Sequence, residues 1–456
     1  MKNPPIEKNA YYRGAIESLT HDGLGVARLD GFPVFISNAL PNEEVTFKTT
    51  LLKKNFGFGK AFEHHKESPH RVDPPCPIYW QCGGCQLQHF DYEGQLQTKQ
   101  ELVKNHMKRI AHLESVPVLE TLGMENPWRY RNKTQVPFGT DEAGNVVAGF
   151  YKRRSHEIMD MGSCLIQTEI SDEIVATMKV LCEEFGIETY DESKQTGILR
   201  HVIVRVGFKT SEVMVILVIR TEKLPAKNEI IHRLTATYPQ IKSIVQNINP
   251  KSTNVIFGDE TRILYGEPYI YDELDGLRFG ISPRSFYQIN PVQTEKLYAK
   301  AVEFAQLTGD EIVFDAYCGI GTITLFLARH AKHVYGVEIV PEAIADAQVN
   351  AQLNGMDNTT FEVGKSETVI PAWIKSGIQP DVIVVDPPRK GCEKSLLDTF
   401  IKAAPKRIVY VSCDSSTLAR DLKILSDGGY EVEEVQPVDM FPQTTHVECV
   451  ARLVLR

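Results

Sequence analysis

The chain opens on short β-forming runs. Gly14-Ala15-Ile16, Gly25-Val26-Ala27-Arg28, Pro33-Val34-Phe35-Ile36 and Glu44-Val45-Thr46-Phe47 are separated by turn pairs such as Asp22-Gly23, Asp30-Gly31 and Pro41-Asn42. This pattern predicts a small OB-like β-barrel over residues 1–67. Ser68-Pro69-His70-Arg71-Val72-Asp73-Pro74-Pro75 reads as a linker, and a cysteine-rich stretch follows it. Leu96, Leu102, Val103, His106 and Ile110 then fall on or near one face of an amphipathic helix over about 92–113. Strand-like runs at 198–206, 213–220 and 244–249 alternate with helical ones at 171–185 and 226–238. Residues 68–275 thus predict a central mixed α/β domain. From 276 to 456 the pattern becomes strand–turn–helix repeats, which predicts a Rossmann-like, doubly wound parallel sheet.

Composition narrows the function. Of 456 residues, 42% are hydrophobic and 24% charged, the mix of a folded globular chain. No apolar run approaches the ~20 residues that a membrane-spanning helix requires. The first ten residues are polar and lack an apolar signal core, so a cytoplasmic protein is expected. A net charge of −9 argues against a protein that coats nucleic acid indiscriminately, but leaves room for a nucleic-acid enzyme with local basic patches. Nothing in the sequence marks an obligate protein partner.

The last third carries a cofactor pattern. The apolar run Ile312-Val313-Phe314-Asp315 leads into Ala316-Tyr317-Cys318-Gly319-Ile320-Gly321, and helix-forming residues begin at Thr322. A glycine turn between strand and helix lets a ligand approach the backbone. The dinucleotide pattern wants a third glycine where Thr324 stands. The next strand ends in Glu338, placed to accept hydrogen bonds from both hydroxyls of a ribose. A third strand ends in Asp386-Pro387-Pro388-Arg389. Two prolines push the chain out of the ladder where an open α/β sheet binds its ligands. A carboxylate before two prolines at this place favours S-adenosylmethionine (SAM) over a nicotinamide cofactor.

Two further positions carry chemistry. Arg407-Ile408-Val409-Tyr410-Val411 ends in Ser412-Cys413-Asp414. A cysteine just past a strand end, flanked by polar residues, is poorly placed for a core and well placed as a nucleophile facing Asp386. In the final segment, strand alternation puts His446 and Glu448 on one face and Val447 and Cys449 on the other. Glu448 becomes a candidate general base. His446 reads better as a hydrogen-bonded structural residue.

The chain has nine cysteines. Cys76, Cys82 and Cys85 form a C-x5-C-x2-C pattern with Gly83 and Gly84 inside it, and Cys164 is the best fourth partner. Four thiolates suit either zinc or an iron–sulfur cluster, and the spacing alone leans slightly to zinc.

Taken together, Phe286-Tyr287-Gln288-Ile289-Asn290, the stretch from Asp315 to Gly321, Asp386-Pro387-Pro388-Arg389, Ser412-Cys413-Asp414 and His446-Val447-Glu448 resemble the uracil-C5 RNA methyltransferases, a class-I SAM-dependent family. The resemblance spans essentially the whole chain. It implies Gln288, Tyr317, Glu338 and Asp386 at the SAM and base pocket, Cys413 as nucleophile and Glu448 as base. Many members place Asn-Pro after the cysteine, where this chain has Asp414-Ser415. The resemblance also implies a [4Fe-4S] cluster on Cys76, Cys82, Cys85 and Cys164. Gly23-Leu24-Gly25-Val26-Ala27-Arg28 and Ala39-Leu40-Pro41-Asn42-Glu43 are similar to the TRAM domain, an RNA-binding barrel. Barrel and cluster together point to 23S ribosomal RNA as the partner. Trp128-Arg129-Tyr130-Arg131-Asn132-Lys133 alternates bases with aromatics, as contacts to single-stranded RNA do.

The expected activity is formation of 5-methyluridine. The alternatives are a tRNA uracil-C5 methyltransferase and, in another class, a noncatalytic cluster-bearing RNA-binding protein. A cytosine-C5 enzyme places its cysteine differently, usually after proline. An amino-group methyltransferase carries an aromatic residue where Arg389 stands.

Overall fold

The computed structural model describes residues 4–153 and 155–456. Six strands come first: Tyr11–Ala15, Ser18–Leu19, Gly25–Leu29, Phe32–Ser37, Glu44–Leu52 and Gly57–Lys66. They form one sheet in the order first, fifth, sixth, fourth, third, second, around a core that includes Ala27, Val34, Ile36, Val45, Phe47 and Ala61. Asp30 and Gly31 have φ of 50° and 81°, the two left-handed positions of a type I′ hairpin. The sixth strand is absent from the sequence expectation, because Gly57 and Gly59 interrupt its pattern. Packing requires Gly59: a Cβ there would stand 2.8 Å from the Phe47 ring.

The proline-rich stretch after the barrel is a fastened joint. Arg71 donates from Nε and Nη2 to the Glu43 carboxylate at 2.5 and 2.8 Å, and the Ser68 N–H donates to it at 3.2 Å. Glu43 is buried, so a bidentate, charge-assisted pair ties the barrel to the next segment.

The central sheet runs Glu260–Gly266, Ile241–Ile248, Val213–Ile219, Leu199–Val206, Lys133–Thr140, Val146–Ala148. Its middle strand, Val213–Ile219, is buried at every position, because helices Glu169–Glu184 and Lys227–Thr237 cover the face of Val215 and Leu217 while Met214, Ile216 and Val218 join the core that includes Phe279 and Leu297 on the other. Helix Tyr92–His106 follows the cysteine segment in the chain but packs against the C-terminal part. Its buried positions are Gly94, Gln95, Lys99 and Val103, and Ile110 beyond it is exposed. The expected apolar face is therefore rotated. Lys99 and Gln95 point inward because they meet a polar loop, described below.

The C-terminal sheet has seven strands, here β1 (Ile312–Asp315), β2 (His333–Glu338), β3 (Thr359–Val363), β4 (Val382–Val385), β5 (Arg407–Ser412), β6 (Tyr430–Val438) and β7 (Glu448–Leu455). Their order is β3-β2-β1-β4-β5-β7-β6. The first five are parallel, and β7 inserts antiparallel between β5 and β6. Val384 faces one core while Ile383 and Val385 face the other, as both-sided burial of a parallel sheet demands. Strand order reverses between β1 and β4, and the crevice at a parallel sheet's C-terminal edge opens there. Among the described residues, no helix is long and apolar enough to cross a membrane.

Candidate active site

The turn after β1 is built for close approach. Gly319 and Gly321 have φ of 53° and 81°, and helix Thr322–Ala328 starts immediately after them. Thr324, which stands where a dinucleotide fold has its third glycine, donates from Oγ1 to Asp315 Oδ2 at 2.6 Å. Asp315 is fully buried, and burial pushes its carboxyl up to about 7. Glu338 closes β2 at the same edge and accepts from the Val340 N–H at 3.1 Å. Tyr317 is half-buried in the same turn and packs toward Cys392. Gln288 is buried, and its carbonyl accepts from Asn132 Nδ2 at 2.9 Å. Next to it lies buried Tyr298, whose hydroxyl faces both Gln288 and Asp386. Phe286, two residues before Gln288, is 66% exposed.

The antiparallel register places the other half of the site. Arg407 pairs with Val454 and Ser412 with Cys449 along β5 and β7. One step further in this register sets Cys413 against Glu448. Asp386 follows β4, which pairs β5 on the opposite side. Glu448 is buried at 3% exposure. Burial, reinforced by the Asp386 charge, pushes its carboxyl up to about 8. Burial likewise raises Asp386 to about 6. Two neighbouring carboxylates in such a place do not both ionise readily, so the pair as a whole keeps a proton above the usual carboxylate range. Burial pushes the Cys413 thiol up to about 12, and the charges of Glu448 and Asp386 add to that, while the Arg389 guanidinium opposes it.

Cys413 also stands just before helix Ser415–Asp427, whose N-cap is Asp414. The Asp414 side chain accepts from the Ser416 and Thr417 N–H groups at 2.9 and 3.2 Å. The chain's departure from Asn-Pro thus serves as a helix cap.

Two sequence expectations are corrected. His446 does not share the inward face with Glu448: β7 begins only at Glu448, and His446 is exposed, its ring edge-on against Phe441 at 5.9 Å. The aromatic–basic stretch is mostly structural. Arg129 donates to the Cys164 and Gln167 carbonyls and to Asp172, Tyr130 is buried with its hydroxyl on the Pro442 carbonyl, and Asn132 is buried. Sequence reasoning passed over Arg389 as part of the site, although its place after two prolines at a strand end was the available signal. Tyr298, inside helix Pro291–Ala305, left no signal.

Cys76, Cys82, Cys85 and Cys164 line one cavity of about 210 Å³. Burial pushes Cys85 up to about 11 and Cys164 up to about 12, and neighbouring thiols add to both shifts. Among the described residues, however, no group of three or more His, Cys, Asp or Glu side chains is set to hold a metal ion. The thiols share a wall without a ligating geometry, so the structure does not by itself supply the expected metal site.

The model of the family described as tRNA (Uracil-5-)-methyltransferase matches residues 91–455, and the TRAM domain matches residues 8–62. The chain belongs to this RNA uracil-5-methyltransferase family. It is 57% identical to an uncharacterized RNA methyltransferase of Bacillus cereus strain ATCC 10987, over 98% of this chain and 97% of that protein. It is 56% identical to one from Halalkalibacterium halodurans, over 99% and 98%. Among solved structures, it is similar to the Pyrococcus abyssi tRNA (uracil-54, C5)-methyltransferase in complex with S-adenosyl-L-homocysteine. The TM-score there is 0.78 at 30% identity, covering 97% of this chain and 100% of that one. This methyltransferase therefore combines a TRAM barrel with a SAM-dependent fold, and RNA is its substrate class.

Proposed function

We propose that this methyltransferase forms 5-methyluridine in 23S ribosomal RNA, with Cys413 as nucleophile and Glu448 as base. The observation that carries the chemistry is the β5–β7 register, which one step past Ser412 and Cys449 brings Cys413 opposite Glu448, with Asp386 just after the adjoining strand. When bound, SAM supplies an electrophilic methyl group on a sulfonium. Glu338, Gln288, Tyr317 and Asp386 are the residues proposed to hold it and the target base. Once its thiol has lost its proton, Cys413 Sγ adds to C6 of the uracil, the C5–C6 π pair moves onto C5, and C5 takes the methyl as S-adenosyl-L-homocysteine leaves. Glu448 then removes the C5 proton, the C5–C6 double bond re-forms, and the Cys413–C6 bond breaks.

Glu448→Gln tests this sequence. It keeps the shape but removes the base, so a protein–RNA adduct that already contains the transferred methyl should survive denaturing electrophoresis. Removing Cys413 as well should erase it. Methylated RNA released at parental rate with no such complex would reject Glu448 as the base.

The cysteine cavity is proposed to take a [4Fe-4S] cluster, with zinc the alternative. The support is the donor set: Cys76, Cys82, Cys85 and Cys164 line one cavity, and four thiolates suit iron or zinc. Cys82→Ala should abolish a brown colour in anaerobically purified protein, and colourless protein with one bound zinc would refute the cluster.

A second reading is a tRNA uracil-C5 methyltransferase. The Pyrococcus abyssi enzyme acts on tRNA and matches this chain over its full length, so possession of a barrel does not separate the two substrates. Mapping 5-methyluridine by mass spectrometry in ribosomal and transfer RNA from deletion and parent cells decides between them. Loss confined to tRNA would overturn the ribosomal assignment.

A further inference from the structure

Strands β6 and β7 close with Val438 opposite Glu448. The connection between them, residues 439–447, is longer than the roughly two to five residues of an ordinary hairpin loop. A loop of that length has no intrinsic conformation, yet this one is pinned at each of five consecutive residues from outside. Asp439 accepts from Lys99 Nζ at 2.5 Å and from the Tyr92 hydroxyl at 2.8 Å. The Met440 carbonyl accepts from Asn290 Nδ2, the Phe441 carbonyl from Lys99 Nζ and the Pro442 carbonyl from the Tyr130 hydroxyl, all at 3.0–3.2 Å.

Gln443 is the last and most heavily held of the five. It is buried, and its φ of 70° lies in the left-handed region that glutamine rarely adopts. Its carbonyl accepts from the Gln86 and Leu87 N–H groups, both at 3.0 Å. Its N–H donates to Gln95 Oε1 at 3.0 Å, and Gln95 Nε2 donates back to Gln443 Oε1 at 3.1 Å. Gln95 Nε2 also reaches the Leu87 and Phe90 carbonyls. A strained backbone persists only where its surroundings over-determine it, as the bonds around Gln443 do. Glu448 is the first residue of β7 and would fray first if the loop were loosened.

We propose that Gln443, clamped by Gln95 and by the segment that follows Cys85, is the positioning residue that holds Glu448 against Cys413. The inference rests on the reading of Glu448 as base. It makes the cysteine-bearing segment a structural support of the last catalytic step, two residues away from Cys85 through Gln86 and Leu87.

The test compares Gln95→Ala, Gln443→Ala and Glu448→Gln in the full chain, with labelled SAM and RNA from deletion cells. If the loop positions the base, both glutamine variants bind SAM with parental affinity and transfer the methyl at near-parental rate in a single turnover. They then release methylated RNA roughly tenfold more slowly, the size expected for one lost buried partner, and accumulate the denaturant-resistant adduct. The double variant should be no worse than the more affected single one, because the two side chains act as a pair. If Gln443→Ala loses SAM affinity, Gln95→Ala, which leaves the loop sequence intact, decides. Adduct from Glu448→Gln but uniformly slowed steps without adduct in the glutamine variants overturns the positioning role alone. No adduct from Glu448→Gln overturns the base reading and this inference with it.

Discussion

At the scale of single residues, the site is governed by two carboxyl groups that crowd one thiol. The Cys413 thiol is raised to about 12 in part by the Glu448 and Asp386 charges. Replacing Glu448 by Gln removes one of those charges and should lower the thiol's pKa. At pH 9 the thiolate fraction, and hence the rate of alkylation by iodoacetamide, should rise, about tenfold if the pKa falls by one. An unchanged or slower alkylation rate would show that the two groups do not feel each other. The same burial has a stability consequence. The Glu448 carboxyl is raised from 4.5 to about 8, so the folded state binds a proton that the unfolded state has already lost. The stabilisation is complete below about pH 4.5 and is lost as pH rises through about 8. Urea midpoints measured from pH 5 to 8.5 should fall less for Glu448→Gln than for the parent. Cys413→Ala should keep SAM affinity and lose methyl transfer. Cys318 and Cys392 are buried in the cores, and their replacement should cost stability before activity.

At the scale of elements, helix Tyr92–His106 is joined to the β6–β7 loop by an ion pair almost without solvent. The side chains of Lys99 and Asp439 are 2% and 0% exposed. Desolvation lowers the Lys99 pKa, and the Asp439 carboxylate works against it. Breaking such a pair from one side leaves a buried charge, at a cost of about 3–5 kcal/mol. Lys99→Met should therefore lower the denaturant midpoint strongly, and adding Asp439→Asn should recover part of the loss. Equal midpoints for the single and double variants would mean that the pair does not stabilise the fold. Helix Ser415–Asp427 poses a smaller test. Asp414→Ala removes two cap bonds and should cost ~1 kcal/mol, while Asp414→Asn, also a good cap, should cost little.

At the scale of the molecule, the barrel is tied to the cysteine segment and to the C-terminal part through polar contacts. The Glu43–Arg71 pair fastens the barrel to the segment leading to the cysteines. A hydrogen bond from the Thr445 hydroxyl to the His21 carbonyl touches the barrel to the loop before Glu448. Arg71→Ala leaves the Glu43 carboxylate buried without its cation. Limited proteolysis should then cut between residues 67 and 75 faster than in the parent, while the remaining chain still binds SAM. Equal cleavage rates would show that the joint is held by other contacts.

Local pattern alone determined a good deal of this protein. Continuous apolar runs such as 382–385 and 408–411 identified buried parallel strands, the Asp30-Gly31 pair identified a hairpin, and residue types at strand ends singled out Cys413, Asp386 and Glu448 as candidates. These features are written in neighbours along the chain, where a period of two or a turn dipeptide has a direct steric cause. The rest is non-local and came from packing. Cys413 and Glu448 lie 35 residues apart, and their meeting depends on β7 entering between β5 and β6 in one register. The inward turn of Lys99 and Gln95 defied apolar periodicity because their partners, Asp439 and Gln443, are more than 300 residues away. Arg129 and Tyr130 look like RNA contacts in sequence and are structural in space, since a basic or aromatic side chain takes its role from what lies opposite it. Hydrophobic pattern tells which side chains leave water, and only the packed chain tells which polar groups they meet there.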